Sequence, residues 1–368
     1  MPAETLLRRQ VLLAQRRQQL WDGEETDRTG IFAAALYSMA MSSTVVEVAA
    51  LRKRFGEVTA LDGVDLAVAQ GEVFGLLGPN GAGKTTTIKT LITLLQPDGG
   101  SASVLGHDVV KDAGRVRSLI GYVPQELTGD RYLSAREHLE YFCDLYHLPH
   151  RQRAGRVREL LELVGLAEVA ERPIRTFSGG MKKKLDVACG LVHRPQVLFL
   201  DEPSLGLDVS IRRAVWDHIL TLKRAGTTVF VSTNYMEEAD ALCDRVAIID
   251  RGQVRAMGTP MELRAGLGGD VVSIELEAGG PDLVDQAEAA LRAVKVVKGT
   301  WRQEHKLHAT VEANETALPV LLESLSAAKV KVRGVSYHRP GLEEVFLRHT
   351  GHRFEEAAGP SGPPQRAR

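Results

Sequence analysis

Cysteine is scarce in this 368-residue chain: Cys143, Cys189 and Cys243 are the only three, and they lie far apart. An odd number without metal-ligand spacing excludes a disulfide framework or a thiol-based zinc cluster, and implies free, buried thiols in a reducing compartment. Surplus charge is also missing, since 46 Lys and Arg face 47 Asp and Glu for a formal net charge of −1. That balance removes any global pull toward nucleic acid or anionic lipid. No apolar run reaches the ~20 residues that cross a bilayer. The longest, residues 31–41, is interrupted by Ser38, and the mixed charges before it do not resemble a secretory leader. No internal repeat is visible. What is present is ordinary: 44% hydrophobic and 25% charged residues, as in a globular protein with room for about two cores.

Residues 1–42 read as a poorly ordered extension outside the fold. Leu6, Leu7, Val11, Leu12 and Leu13 alternate with Arg8, Arg9, Arg16 and Arg17, so a basic amphipathic helix is the other reading. From Thr44 to Leu77 the pattern is β-like, with Val64, Leu66 and Val68 alternating with Asp65 and Ala67. A short strand at Ser103–Leu105 and another at Leu119–Val123 follow. A helical insert over about 126–180 opens at a Ser134…Glu137 capping box; its second helix starts near Arg153 and stops at Gly165. Short apolar runs at Val197–Leu200, Thr228–Val231 and Val246–Ile249 predict a sheet covered on both faces. Composition shifts at Gly266–Gly269. Residues 270–350 then read strand, helix, strand (Lys295–Lys298), strand, helix, strand, the βαββαβ order of ferredoxin-like domains, with a final helix from Leu342 to His349. Residues 351–368, rich in Gly and Pro, read as a disordered tail.

The chemistry starts at Gly78-Pro79-Asn80-Gly81-Ala82-Gly83-Lys84-Thr85-Thr86, placed between the apolar run Val73–Leu77 and a helix bearing Ile88, Leu91, Ile92 and Leu95 on one face. This string fits the phosphate loop G-x-x-x-x-G-K-[ST]. A nucleotide triphosphate is a dense polyanion, and glycines let successive backbone N–H groups point at its oxygens. Lys84 supplies a point charge for the terminal phosphates, the Thr85 hydroxyl a ligand for Mg²⁺, and the helix its positive end. Asp201 ends the strand Val197–Leu200, which is expected beside the strand feeding the loop, and can hold Mg²⁺ through water. Glu202 is placed to orient or deprotonate an attacking water. The alternative, that both acids merely terminate a strand, loses force once a phosphate loop lies upstream.

Ser178-Gly179-Gly180 opens another helix far away in sequence, a second anion-binding terminus. Two such sites in one chain make sense if two molecules meet head to tail, each clamping the nucleotide held by the other. With Phe177-Ser178-Gly179-Gly180-Met181 the chain resembles the nucleotide-binding subunits of ATP-binding-cassette (ABC) transporters, and among them the daunorubicin-type drug-resistance exporter ATPases of the ABC-2 type. The resemblance spans about Val45–Met257. It implies that Phe55 stacks on adenine, that Gln125 touches Mg²⁺ and reports to the membrane partner, and that Ser204-Leu205-Gly206-Leu207-Asp208 is the loop through which two cassettes sense each other. Leu342-Glu343-Glu344-Val345-Phe346-Leu347 is typical of the same subgroup.

The fold class implied is α/β: a P-loop NTPase cassette over 43–265, with a mixed core sheet, an antiparallel β subdomain and a helical insert, followed by a small α+β domain over 270–350. The activity implied is hydrolysis of ATP with Mg²⁺. The partners implied are a second cassette, as homodimer or sister chain, and a separate integral-membrane permease, holding the protein at the cytoplasmic face. Two positions depart from the family. Met181 replaces a glutamine, a change familiar in the subgroup. Asn234 stands where the family has a histidine that holds the γ-phosphate; the amide keeps an N–H donor but is shorter and uncharged. Either the amide reaches the phosphate and turnover is modestly slowed, or the chain binds ATP and hydrolyses poorly.

Other features carry less. Lys182-Lys183-Lys184 reads as a solvated helix face, or as help in attracting the opposing triphosphate. His147/His150 and His305/His308 have metal-pair spacing but no third ligand nearby. A soluble ABC ATPase acting on ribosomes or DNA is the rival class, although the second cassette, coiled-coil or zinc insertions of those proteins are missing.

Overall fold

The computed structural model describes residues 43–125, 130–277, 281–303, 306–311, 317–352 and 354; the proposed N-terminal arm and most of the proposed tail lie outside them. Two long strands, β1 (Thr44–Phe55) and β2 (Val58–Ala69), form an antiparallel hairpin that continues through β4 (Gly99–Val104) to β5 (His107–Asp108). The second sheet is built around β3 (Val73–Leu77), β6 (Ile120–Val123), β7 (Val197–Asp201), β8 (Thr228–Thr233) and β9 (Arg245–Asp250), all parallel, with β10 (Gln253–Gly258) antiparallel at the edge. Its order is β10-β9-β3-β8-β7-β6.

This order corrects one expectation. β7 does not lie beside β3, because β8 runs between them. Asp201 therefore faces the phosphate loop across the end of β8, and contact is kept because its register partner there is the small Ser232.

Alternation along the parallel strands sorts their side chains into two cores. Phe74, Phe199 and Phe230 stand in register on neighbouring strands with ring centroids 5.4 Å apart, facing α1 (Lys84–Leu91) and the antiparallel sheet. Val73, Leu77, Leu198, Leu200, Val229 and Val231 face the other way. They meet the helical insert, α3 (Ala135–Leu145) and α4 (His150–Leu163), together with α5 (Gly179–Gly190), α6 (Val209–Arg224) and α7 (Met236–Leu242). Between the two sheets' edges runs the short α2 (Ala113–Leu119), which buries Val116. The capping box holds: Ser134 Oγ accepts from Glu137 N and Glu137 Oε2 from Ser134 N.

β10 was not anticipated, nor was α8 (Pro260–Ala265), although Thr259 and Glu262 form a second capping box that the sequence shows plainly. Beyond them β11 (Asp270–Leu276), β12 (Val297–Gln303), β13 (Lys306–Val311) and β14 (Val332–His338) form a sheet of order β12-β13-β11-β14. Helices α9 (Pro281–Arg292) and α10 (Ala317–Ala327) cover one face, giving the βαββαβ arrangement. β12 starts two residues later than expected and extends to Gln303, because pairing with β13 recruits the polar stretch after Gly299. The last helix, α11 (Leu342–Thr350), buries Leu342, Val345 and Phe346 in the same core as Leu263 and Leu267, so the chain returns to the cassette.

Candidate functional site

The all-buried β3 leads into Gly78, whose N–H donates to Thr233 O at 3.2 Å. The loop then closes on itself through Ala82 N to Pro79 O, and Gly252 N donates to Ala82 O. Two glycines are fixed by space. A Cβ on Gly78 would stand 2.3 Å from Ile249 O. One on Gly83, where φ is +109°, would stand 2.7 Å from Ala60 O. Gly83 caps α1 without a side-chain acceptor, so the first-turn N–H groups keep their capacity for an anion. A cleft of about 320 Å³ opens here, lined by Ala60, residues 80–81, residues 83–86, Gln125, Glu202 and Leu205.

Lys84 is the most enclosed cation of the site. Its Nζ donates to Gly78 O at 2.7 Å and Pro79 O at 3.0 Å, and pairs with Glu202 Oε1 at 3.0 Å. Burial pushes its pKa below the usual lysine value, opposed by the charges of Glu202 and Asp201. Glu202 adopts φ +48°, a left-handed conformation that costs a β-carbon residue about 1–2 kcal/mol. Its N–H is held at 3.1 Å by both O and Oγ of Ser232. That turn carries the carboxylate off the end of β7 and toward Lys84. Its second oxygen, Oε2, accepts from Gln125 Nε2 at 3.2 Å.

Asp201 forms the other half. Its Oδ1 accepts from Thr85 Oγ1 at 3.2 Å and from Ser232 Oγ at 2.5 Å. Hard oxygen atoms, few of them from protein, suit Mg²⁺, which keeps several water and phosphate ligands rather than a full protein cage. Consistent with so sparse a set, no cluster of three or more His, Cys, Asp or Glu with metal-binding geometry occurs among the described residues. Ser232 escaped sequence reasoning; a small hydroxyl residue ending the apolar run Val229–Val231 was the available signal.

Gly81, Gly83, Lys84, Thr85, Thr86, Gln125, Asp201 and Glu202 thus come together. Phe55 is half exposed at the end of β1, under the Lys53 ammonium at 5.6 Å, and does not line the cleft. Ser178, Gly179 and Gly180 lie outside the cleft as well. Ser178 caps α5 by accepting from Met181 N at 3.3 Å, and Gly180 is buried where a Cβ would meet Ile211 Cγ2 at 2.2 Å. Asn234 follows β8, its Oδ1 buried without a hydrogen bond. Lys183 departs from both readings of the lysine run, while Lys182 and Lys184 stay partly exposed: Lys183 is buried, and its ammonium donates to Pro124 O at 2.8 Å, next to Gln125. His147 sits before α4 at φ +53°, His308 bonds Ser273 Oγ and stacks on Trp301, and His305 lies outside the described residues.

Residues 61–205 match the family model described as "ABC transporter", and residues 258–350 match "ATP-binding protein DrrA1-3-like, C-terminal domain". The daunorubicin resistance ATP-binding protein DrrA3 of Streptomyces coeruleorubidus is 44% identical over 320 residues, covering 86% of this chain and 100% of that protein. This chain belongs to the ABC transporter ATPases. Within that family the linearmycin resistance ATP-binding protein LnrL of Bacillus subtilis (strain 168) is 36% identical over 308 residues, 83% of this chain and 98% of its own length. A solved structure described as the ATP binding subunit of an ABC transporter superposes with a TM-score of 0.56 at 31% identity, covering 61% of this chain and 94% of that one. This ABC ATPase is accordingly a nucleotide-binding subunit, and no helix among its described residues is long and apolar enough to cross a membrane.

Proposed function

We propose that this ABC ATPase pairs with a second cassette around ATP and Mg²⁺, and that closure of the pair drives a separate ABC-2-type permease exporting drugs or similar amphiphiles. The observation that carries the reading is the convergence of Lys84, Glu202 and Gln125 on one glycine cradle with room for phosphate. The resistance functions printed for the two relatives support the choice of cargo class.

The triphosphate oxygens are received by backbone N–H groups of residues 81–86 and by Lys84. Thr85 and Asp201 would hold Mg²⁺, with Gln125 beside them, and the ion when bound neutralises phosphate charge. Glu202 orients a water for in-line attack on the γ-phosphorus and takes its proton as the bond to the β-phosphate oxygen breaks. Phe55 stacks on adenine, Asn234 donates its amide to the γ-phosphate, and Ser178, Gly179 and Gly180 face the nucleotide of the other copy. These roles rest on the family resemblance and on the exposure of Ser178 and Gly179. Asn234 also favours a second reading, a nucleotide-gated module with negligible turnover.

Steady-state phosphate release with Mg-ATP tests the chemistry: turnover abolished by Lys84→Ala and Glu202→Gln supports it, and turnover indifferent to both refutes it. For transport, the tagged chain should be recovered from membranes with a hydrophobic polytopic partner; recovery only with ribosomes or DNA overturns export.

A further inference from the structure

The loop after β7 and the loop after β8 converge on one buried carboxyl group. Glu238, on α7, is wholly buried, and its Oε1 accepts from the Ser204 hydroxyl and from Trp216 Nε1 at 2.8 Å. Trp216 Nε1 also lies 3.1 Å from Ser204 Oγ, closing a three-membered network. Ser204 opens the 204–208 loop, Trp216 belongs to α6, which that loop enters with Asp208 as its cap, and α7 begins two residues after Asn234. A second contact runs in parallel, with the Arg212 guanidinium of α6 stacked 4.1 Å from the Tyr235 ring.

A carboxyl group buried this deeply is costly unless its partners matter, and an apolar side chain would fill the space more cheaply. The cost is visible in its pKa, which burial raises against the hydrogen bonds from Ser204, Thr233 and Trp216 and the charge of Arg212. Glu238 Oε2 and Asn234 Oδ1 are both buried without a hydrogen bond. Within 233–238 the contacts are local, with Tyr235 N donating to Thr233 Oγ1 and Glu238 N to Tyr235 O, while Glu238 Oε1 ties the segment to Ser204 and Trp216.

We propose that Glu238 is a positioning residue: through Ser204 and Trp216 it locks the loop bearing Asn234 to the 204–208 loop, so that engagement of one sets the other. The proposal rests on the reading above, in which Asn234 meets the γ-phosphate and the 204–208 loop meets a second copy of this chain.

The test uses the full chain. Ser204→Ala and Glu238→Ala should each lower kcat about tenfold, the size of one lost buried hydrogen bond to a polar partner, while KM for ATP stays within about twofold. The double variant should fall no further than either single one. Glu238→Gln, which keeps the acceptor oxygen, should retain at least half of kcat. Wild-type kcat in Ser204→Ala, or losses that multiply in the double variant, would overturn the proposal. If Glu238→Ala fails to fold, Ser204→Ala and Glu238→Gln still decide it. A second readout is independent of turnover: with Trp21→Phe and Trp301→Phe leaving Trp216 alone, ATP should change its emission, and Ser204→Ala should abolish the change. An emission response without any phosphate release would sink the hydrolysis reading and leave this linkage standing; normal release with a silent Trp216 would sink the linkage alone.

Discussion

Lys84 Nζ lies 3.0 Å from Glu202 Oε1, with 4% and 7% of the two side chains exposed. The three protons of the ammonium are matched to three acceptors, Gly78 O, Pro79 O and this carboxylate. A phosphate oxygen can gain Lys84 only by replacing one of them, and Glu202 is the acceptor on a flexible side chain. On the proposed mechanism, arrival of the triphosphate would free the carboxylate assigned to activate water.

Neutralising the carboxylate separates these two effects. Glu202→Gln should bind ATP several-fold more tightly, since Lys84 loses its competing charge. Its kcat should drop by ~10²–10⁴, the usual contribution of a general base. Isothermal titration and single-turnover phosphate release check the pair; weaker binding would contradict the competition.

Gly83 tests the cradle. Ala at this position must adopt φ +109° and place a Cβ 2.7 Å from Ala60 O, which is backbone and cannot step aside. Gly83→Ala should lose measurable ATP binding and lower the melting temperature, whereas Gly81→Ala, which carries only the strain of its φ of +80° and has open space around it, should lower the melting temperature by no more than a few degrees. Differential scanning fluorimetry with and without ATP distinguishes them.

On the proposed reading, Asn234 takes the place of the γ-phosphate donor and limits the rate. A well-placed transition-state donor is worth ~10²–10³ in rate. The asparagine keeps part of that, so Asn234→His should raise kcat by about three- to tenfold with KM unchanged. Equal kcat in a steady-state assay would show the amide already serves fully.

Histidine 138 predicts an acid limit to stability. His138 on α3 is 3% exposed, neither ring nitrogen has a hydrogen bond, and burial lowers its pKa against the opposing charge of Asp130. The folded chain thus takes up this proton at a lower pH than the unfolded chain, which protonates near pH 6.5. Stability should be level above that pH and fall below it, by at most about 1.4 kcal/mol per pH unit for this group. Chemical denaturation between pH 5 and 8 should show a shallower loss in His138→Leu; an unchanged slope would exclude His138 as the source.

Much of the nucleotide site was legible because phosphate binding constrains local sequence: glycines without room for a Cβ, then Lys84 and Thr85, sit within ten consecutive residues. Strand order was less legible. Nothing in Val197–Leu200 or Thr228–Val231 says which lies next to β3, since both are short apolar runs suited to a buried parallel sheet. Lys183 and Glu238 were hidden for a related reason. A charged residue on a helix reads as solvated, and only tertiary packing puts its charge against Pro124 O or Ser204 Oγ. β12 was misplaced at its start because a strand of Gly, Thr and Arg gains its shape from its neighbour rather than from its own alternation.

On the proposed reading, a triphosphate is held by the glycine loop of one molecule and covered by the Ser178 turn of another. Sedimentation equilibrium of Glu202→Gln with Mg-ATP measures this directly. A mass of two chains that reverts to one when nucleotide is removed, or when Ser178→Arg blocks the turn, is the predicted result. A single-chain mass at saturating Mg-ATP would contradict it.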